Sequence, residues 1–338
     1  MYNLDVSKKE IGRVGDRLAS LAESNQTLPE SDLNILHSWR MLHLYPLTKL
    51  TEYLTREANS INQNCLISSR IKRLPSIISK LQRFEDMKLN KMQDLGGCRA
   101  ILSNLDEVYN TYDNIKKLKF KHQIVRTDDY IKQVKDSGYR SLHLVYSFQN
   151  EKHVNLNGLK IEIQLRTAIQ HSWATAVEMV GLFRKESLKS SFGDPDWLRF
   201  FELVSELFYG IESGKSVGHY MKTSSDLKIL TEKLNVFTIL EAYNKVASHI
   251  DSSDTYTSGF CVIIVDTEKR KMNIKSFPVH SHKAASDFYI KEEKNCEGIK
   301  GYEVAMVSVD DISNLKNAYP AFFLDTKTFL NNLSRFIF

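Results

Sequence analysis

The chain has 338 residues, 42% hydrophobic and 26% charged, with a formal net charge of +5. That length suits about two domains, and no run approaches the roughly 18 consecutive apolar residues a membrane span needs. The charged N-terminus MYNLDVSKKEIGRVGDRL lacks a signal-peptide core, and the scattered Cys65, Cys98, Cys261 and Cys296 form no CxxC pair, so a cytoplasmic chain without disulfide framework or zinc site is expected.

Residues 1–60 read as a helical flank without chemistry: Leu33, Leu36, Trp39, Leu42 and Leu44 recur at near-helical spacing, with Pro46 as a break. Over 61–185 short apolar runs alternate with helical patterns, which predicts an α+β fold, a mixed β-sheet flanked by helices. Here 21 Lys plus Arg stand against 12 Asp plus Glu, so this segment carries +9 and the remainder −4. A basic middle suits a nucleotide or nucleic-acid ligand, although for the charge alone a solvated surface is the better reading. Residues 186–250 return to helix as a connector, and SSDTYTSG (252–259) has linker composition. Residues 251–338 then read as a small α+β domain: FCVIIVD and KMNIKSF as a hairpin, YEVAMVSV as a further strand and TKTFLNNLSRFIF as a closing helix.

The residues able to carry chemistry fall mostly in the basic segment. In RIKRLPSIISKLQR (70–83), Arg70 and Lys72 share a strand face, and Pro75 suits the first helical position. Ser76, Lys80 and Arg83 then stack along one helix face while Ile77, Ile78 and Leu81 turn to the core. Strand face and helix face converge near the positive end of a helix dipole, which favours phosphate oxygens; a solvated basic face is the bland alternative. In DLGGCR, Gly96 and Gly97 are expected to allow an unusual backbone path, with Asp94 at a turn and Arg99 at a strand start. In DSGYRSLH a glycine turn presents Tyr139, Arg140 and His143, an arrangement able to stack a base and hold its phosphates, with core packing of Tyr139 as the alternative. LKIEIQLRT alternates without fault, so Lys160, Glu162, Gln164 and Arg166 line one strand face, and Glu162 among cations is able to hold a metal ion or accept a proton. In HSWATAVE, core packing is the expected role of Trp173.

The order and spacing of these motifs resemble the synthetase domain of the RelA/SpoT family, the alarmone synthetases. The matching residues are RxKxxxS with a trailing Lys and Arg (Arg70, Lys72, Ser76, Lys80, Arg83), DxxGxR (Asp94 to Arg99), DYI followed by KxxGYRSLH (Asp129 to His143), ExQxRT (Glu162 to Thr167) and HxWA (His171 to Ala174). The resemblance implies a nucleotidyltransferase-like pyrophosphokinase in which ATP with Mg²⁺ gives its β,γ-pyrophosphate to a ribose 3′-hydroxyl. It also implies roles: Arg70 and Arg99 sandwich adenine; Lys72, Ser76, Lys80 and Arg83 hold the phosphates; Asp94 and Glu162 bind the metal. Glu162 would double as general base, supported by Gln164 and Arg166, while Tyr139 stacks the acceptor base and Lys135, Arg140 and His143 contact the acceptor.

Three departures narrow the resemblance. No His-Asp dipeptide occurs and about 60 residues precede the matched region, so no hydrolase activity is expected. Val134 replaces the family's proline and WATAVE its usual WAELEH, which puts a guanine-nucleotide acceptor in doubt. With the appended C-terminal region, WATAVE resembles the toxic small alarmone synthetases, in particular the fused toxin–antitoxin CapRel branch. That branch implies the 3′ CCA end of tRNA as acceptor, with GDP or GTP as the alternative, and inhibition of translation in anti-phage defence. It further implies autoinhibition by the C-terminal domain until a phage protein triggers release. The autoinhibitory plug would fall at Tyr319 and Phe322, and no zinc is implied for Cys261, His280, His282 and Cys296.

Overall fold

The computed structural model describes residues 4–24, 26–118, 121–184, 188–214, 221–246, 259–266, 271–278, 281–296, 299, 302–309 and 326–337. Three helices open the chain, α1 (Lys8–Glu23), α2 (Glu30–Leu42) and α3 (Leu44–Ile61). Ser7 caps α1 by accepting from the Glu10 amide, an S-x-x-E start that satisfies a donor the helix itself cannot. Next come β1 (Leu66–Ile71), α4 (Leu74–Arg83), β2 (Gly96–Leu102), α5 (Leu105–Lys117), β3 (Gln123–Asp129), β4 (Leu142–Ser147) and β5 (Lys160–Thr167). Helices α6 (Ala168–Arg184), α7 (Pro195–Glu212), α8 (Met221–Lys233) and α9 (Val236–Val246) follow. The C-terminal elements are β6 (Gly259–Asp266), β7 (Lys271–Pro278), α10 (His282–Asn295), β8 (Tyr302–Val309) and α11 (Lys327–Ile337).

Among the described residues eight strands form one mixed sheet in the order β3-β4-β5-β2-β1-β8-β6-β7. The β2–β5 pair is parallel and the other pairs are antiparallel. The expected C-terminal hairpin forms as β6–β7, and β8 joins it to the rest by pairing Arg70 with Val307 and Ser68 with Val309 on β1. The C-terminal strands thus continue the sheet that carries the basic motifs.

Strand alternation divides the sheet into two faces. Ser69, Cys98, Ile163 and Leu144 lie in one ladder row on the apolar face, which α3, α5 and α10 cover through Leu47, Leu50, Ile115, Ala285 and Tyr289. The opposite face carries Arg70, Arg99, Glu162, Gln164 and His143, and α6, running straight on from β5, packs beside it. A second core joins α6, α7, α8, α9 and α11 around Trp173, Trp197, Phe201 and Phe329, with Trp173 donating to the Phe201 carbonyl at 2.8 Å. A third packs α1 and α2 on α4.

Candidate active site

The polar face is built by register. Arg70 on β1 pairs with Gly97 on β2, and Gly97 with Glu162 on β5; the next row holds Ser68, Arg99, Gln164 and His143. Paired positions project to one side of a sheet, so Arg70, Arg99, Glu162, Gln164 and His143 share a surface. Gly96 and Gly97 lie inside β2 without positive φ, and Arg99 sits mid-strand, which corrects the expected unusual path and strand start. Gly96 packs closely: a Cβ there would lie 2.8 Å from Ile161 Cδ1, so the end of that side chain would have to shift. A Cβ on Gly97 would meet only the Glu162 carbonyl, at 3.7 Å, so this glycine keeps the floor between Arg70 and Glu162 open.

At the edge of this floor Asp94 accepts from Lys72 Nζ at 2.8 Å and from Lys80 Nζ at 2.9 Å. Burial opposes its ionisation, but the two ammonium groups outweigh it and hold the carboxyl well below the usual range. Burial also lowers the Lys72 pKa, with Asp94 opposing. Helix α4 begins at Leu74, so Pro75 takes the second helical position rather than the first. Ile77, Ile78 and Leu81 are buried as the spacing predicts, while Ser76, Lys80 and Arg83 are half-exposed.

Glu162 lies at the centre of a hydrogen-bonded chain. Gln164 Nε2 donates to it at 2.6 Å, Arg166 Nη2 donates to Gln164 at 3.3 Å, and His143 Nδ1 meets its other oxygen at 3.0 Å. Burial pushes the Glu162 pKa up, yet His143 outweighs it and brings the pKa down to about 2; the nearby Asp94 charge opposes. For His143, burial lowers the pKa but Tyr139 and Glu162 outweigh it, so the imidazole is raised above its ordinary value. Two ionised carboxylates that feel each other's charge fit Mg²⁺, which proteins bind through one or two carboxylates together with substrate phosphates.

The expected acceptor contacts are only partly assembled. Gly138 does adopt the turn conformation, at φ +84. Tyr139, however, is 3% exposed, packs against Tyr130 and Trp173, and bonds His143 Nε2 at 2.9 Å. The alternative of core packing prevails, because α6 and α7 cover the ring. Arg140 is likewise drawn away: it donates to the Ile131 carbonyl at 2.6 Å and to Ser205 Oγ on α7 at 3.2 Å, and lies 4.2 Å over the Tyr209 ring. Lys135 is exposed, 4.0 Å over the half-exposed Tyr130, so Tyr130 rather than Tyr139 offers an accessible ring. Tyr319 and Phe322 lie outside the described residues.

Sequence reasoning missed two residues. Glu178 of WATAVE accepts from Lys189 at 2.9 Å and stands among cations: burial opposes its ionisation, but Lys189, Arg70 and Arg99 outweigh it and hold it well below the usual range. Its position two turns beyond His171, on the helix after the polar strand, was the available signal. Arg40, from the flank expected to carry no chemistry, donates Nε to the Lys72 carbonyl at 3.0 Å; nothing in its local pattern marks it.

A family model described as a region found in RelA / SpoT proteins matches residues 69–184. GTP pyrophosphokinase YwaC of Bacillus subtilis (strain 168) is 35% identical over 113 residues, 32% of this chain and 53% of that protein. GTP pyrophosphokinase YjbM of the same strain is 34% identical over 119 residues, covering 32% and 52%. The chain thus spans about half the length of the curated relatives it matches. Among solved structures, the small alarmone synthetase 2 from Bacillus subtilis is 24% identical with a TM-score of 0.42, covering 54% of this chain and 95% of that one. No described helix is long and apolar enough to cross a membrane. From the family match and the motifs gathered on one sheet face, residues 69–184 constitute a RelA/SpoT-family synthetase domain.

Proposed function

We propose that the protein is an ATP-dependent pyrophosphokinase whose acceptor is the 3′-hydroxyl of the tRNA CCA end. The acceptor oxygen attacks the β-phosphorus and releases its proton to solvent, the bond from that phosphorus to the α,β-bridging oxygen breaks, and AMP leaves. The observation that carries this reading is the row Arg70, Gly97, Glu162, with Lys72, Lys80 and Asp94 at its edge. Arg70 and Arg99 flank adenine, and Lys72, Ser76, Lys80 and Arg83 take the phosphates, for which Lys72 and Lys80 exchange their bonds to Asp94. Asp94 and Glu162 would hold Mg²⁺, which supplies charge neutralisation on the polyphosphate. With a pKa of about 2, Glu162 is a weak proton acceptor, so its work is to orient the hydroxyl and contact the metal rather than to act as a strong base. Pyrophosphate transfer tolerates this, because positioning and charge stabilisation supply most of the catalysis in such reactions.

The +9 segment supports a polyanionic acceptor. The function that follows is a translation-inhibiting toxin of anti-phage defence, restrained by a C-terminal segment around Tyr319 and Phe322 until a phage protein binds. A second reading, synthesis of guanosine tetra- or pentaphosphate from GDP or GTP, is favoured by the names of the matched relatives. Incubation with γ-labelled ATP and either tRNA or GTP separates the two. The proposal expects label in tRNA and at least a ~100-fold loss in Glu162→Gln, the scale of removing one group that acts on the transition state. Label confined to guanine nucleotide contradicts the acceptor, and label in neither contradicts the pyrophosphokinase.

A further inference from the structure

Helix α4 starts without a side-chain cap of its own: Arg73 occupies the cap position, and a guanidinium cannot accept from the exposed amides. The missing acceptor arrives from 219 residues away, where Glu293 Oε1 on α10 accepts from the Leu74 amide at 3.1 Å. The same carboxylate receives Arg40 of α2 through both oxygens, Nη1 at 2.7 Å and Nη2 at 3.3 Å, and Tyr289 Oη donates to it at 2.7 Å. Arg40, fully buried, also bonds Tyr289 Oη and spends Nε on the Lys72 carbonyl. One buried carboxylate and one buried guanidinium therefore fix the backbone on both sides of residue 73, between the lysine and the helix of the proposed phosphate cradle.

We infer that Glu293, with Arg40, is a positioning residue of the cradle: the C-terminal region sets Lys72 and the first turn of α4 and thereby the affinity for a nucleoside triphosphate. The contact is reinforced one strand away, where β8 pairs with β1 at Arg70. The C-terminal region is thus a support of the site, which is a different role from restraint by a plug. This inference rests on the reading of the cradle as an ATP site, and its test includes a readout independent of that reading.

Removing one member of a buried ion pair strands the other, whereas replacing both with apolar residues is often tolerated. The informative variant is therefore the Arg40→Leu, Glu293→Leu double substitution, beside Glu293→Gln, which keeps an oxygen for the Leu74 amide but loses the charge. Full-length proteins are compared by thermal melting, calorimetric binding of Mg²⁺-ATP, steady-state kinetics and amide exchange over residues 72–78. The double variant is expected to fold, to bind ATP about tenfold more weakly, the scale of one lost charge-assisted hydrogen bond, to leave kcat within about twofold, and to exchange the Leu74 amide faster. Glu293→Gln should fall between it and the wild type. Wild-type ATP affinity in both variants, or unchanged exchange at Leu74 in both, overturns the inference. If the double variant does not fold, Glu293→Gln alone decides on the same two readouts. If even the wild type binds no ATP, the cradle's assignment fails, and faster exchange at Leu74 still upholds the support by Glu293.

Discussion

Asp94 and Glu162 are both held low in pKa, but by different neighbours, and their proposed tasks differ accordingly. Asp94 accepts from two lysines; in the proposed mechanism these transfer to phosphate and release it for a cation. Glu162 is held by His143 and Gln164, which fix its orientation. At the other side of the cradle, His37 and His43 are buried and neutral. Burial, then Arg40, lowers His37 to about 4, and burial lowers His43 to about 4, against the bond to the Trp39 carbonyl at 2.9 Å. A histidine whose folded pKa is lowered takes up its proton more readily when unfolded, so stability is complete above about pH 6.5 and is lost as pH falls toward 4. Each contributes roughly 3 kcal/mol over that window, since one pKa unit is about 1.4 kcal/mol. Melting temperature should decline steeply from pH 6.5 to 4.5, and His37→Asn with His43→Gln should flatten the slope; an equal slope in that variant contradicts the assignment.

Strand β2 shows how two adjacent glycines can serve opposite ends. Gly96 faces the apolar side close against Ile161, whereas Gly97 faces the polar side with room to spare. Valine at 97 should therefore be tolerated by an extended backbone that favours β-branched residues, leaving the melting temperature within a few degrees while ATP binding falls at least tenfold. Loss of fold, or unimpaired ATP binding, would refute the open floor. The elements themselves were legible: the faultless alternation of LKIEIQLRT and the apolar stripe of Ile77, Ile78 and Leu81 are local patterns that mark a strand and a helix. The roles of Tyr139 and Arg140 were not, because their burial depends on α7, which delivers Ser205 and Tyr209 from 65 or more residues away. A turn motif reports its own backbone and nothing about what will cover it.

At the scale of the molecule, residues 259–309 supply strands to the sheet of the synthetase domain and, through Glu293, an acceptor to its cradle helix. Linker composition at 252–259 marks a boundary in sequence without revealing that the strands beyond it return to β1. Truncation after residue 250 would strip the β1 edge and leave Arg40 buried without its counter-charge. Restraint is accordingly a question for substitutions at Tyr319 and Phe322. The central claim, that side chains from β1, α4, β2 and β5 form one nucleotide site, is tested most directly by amide exchange with and without Mg²⁺ and a non-hydrolysable ATP analogue. Slowed exchange in 70–83, 94–99 and 160–166 together is the predicted footprint; protection absent from these three segments, or confined to one of them, contradicts it.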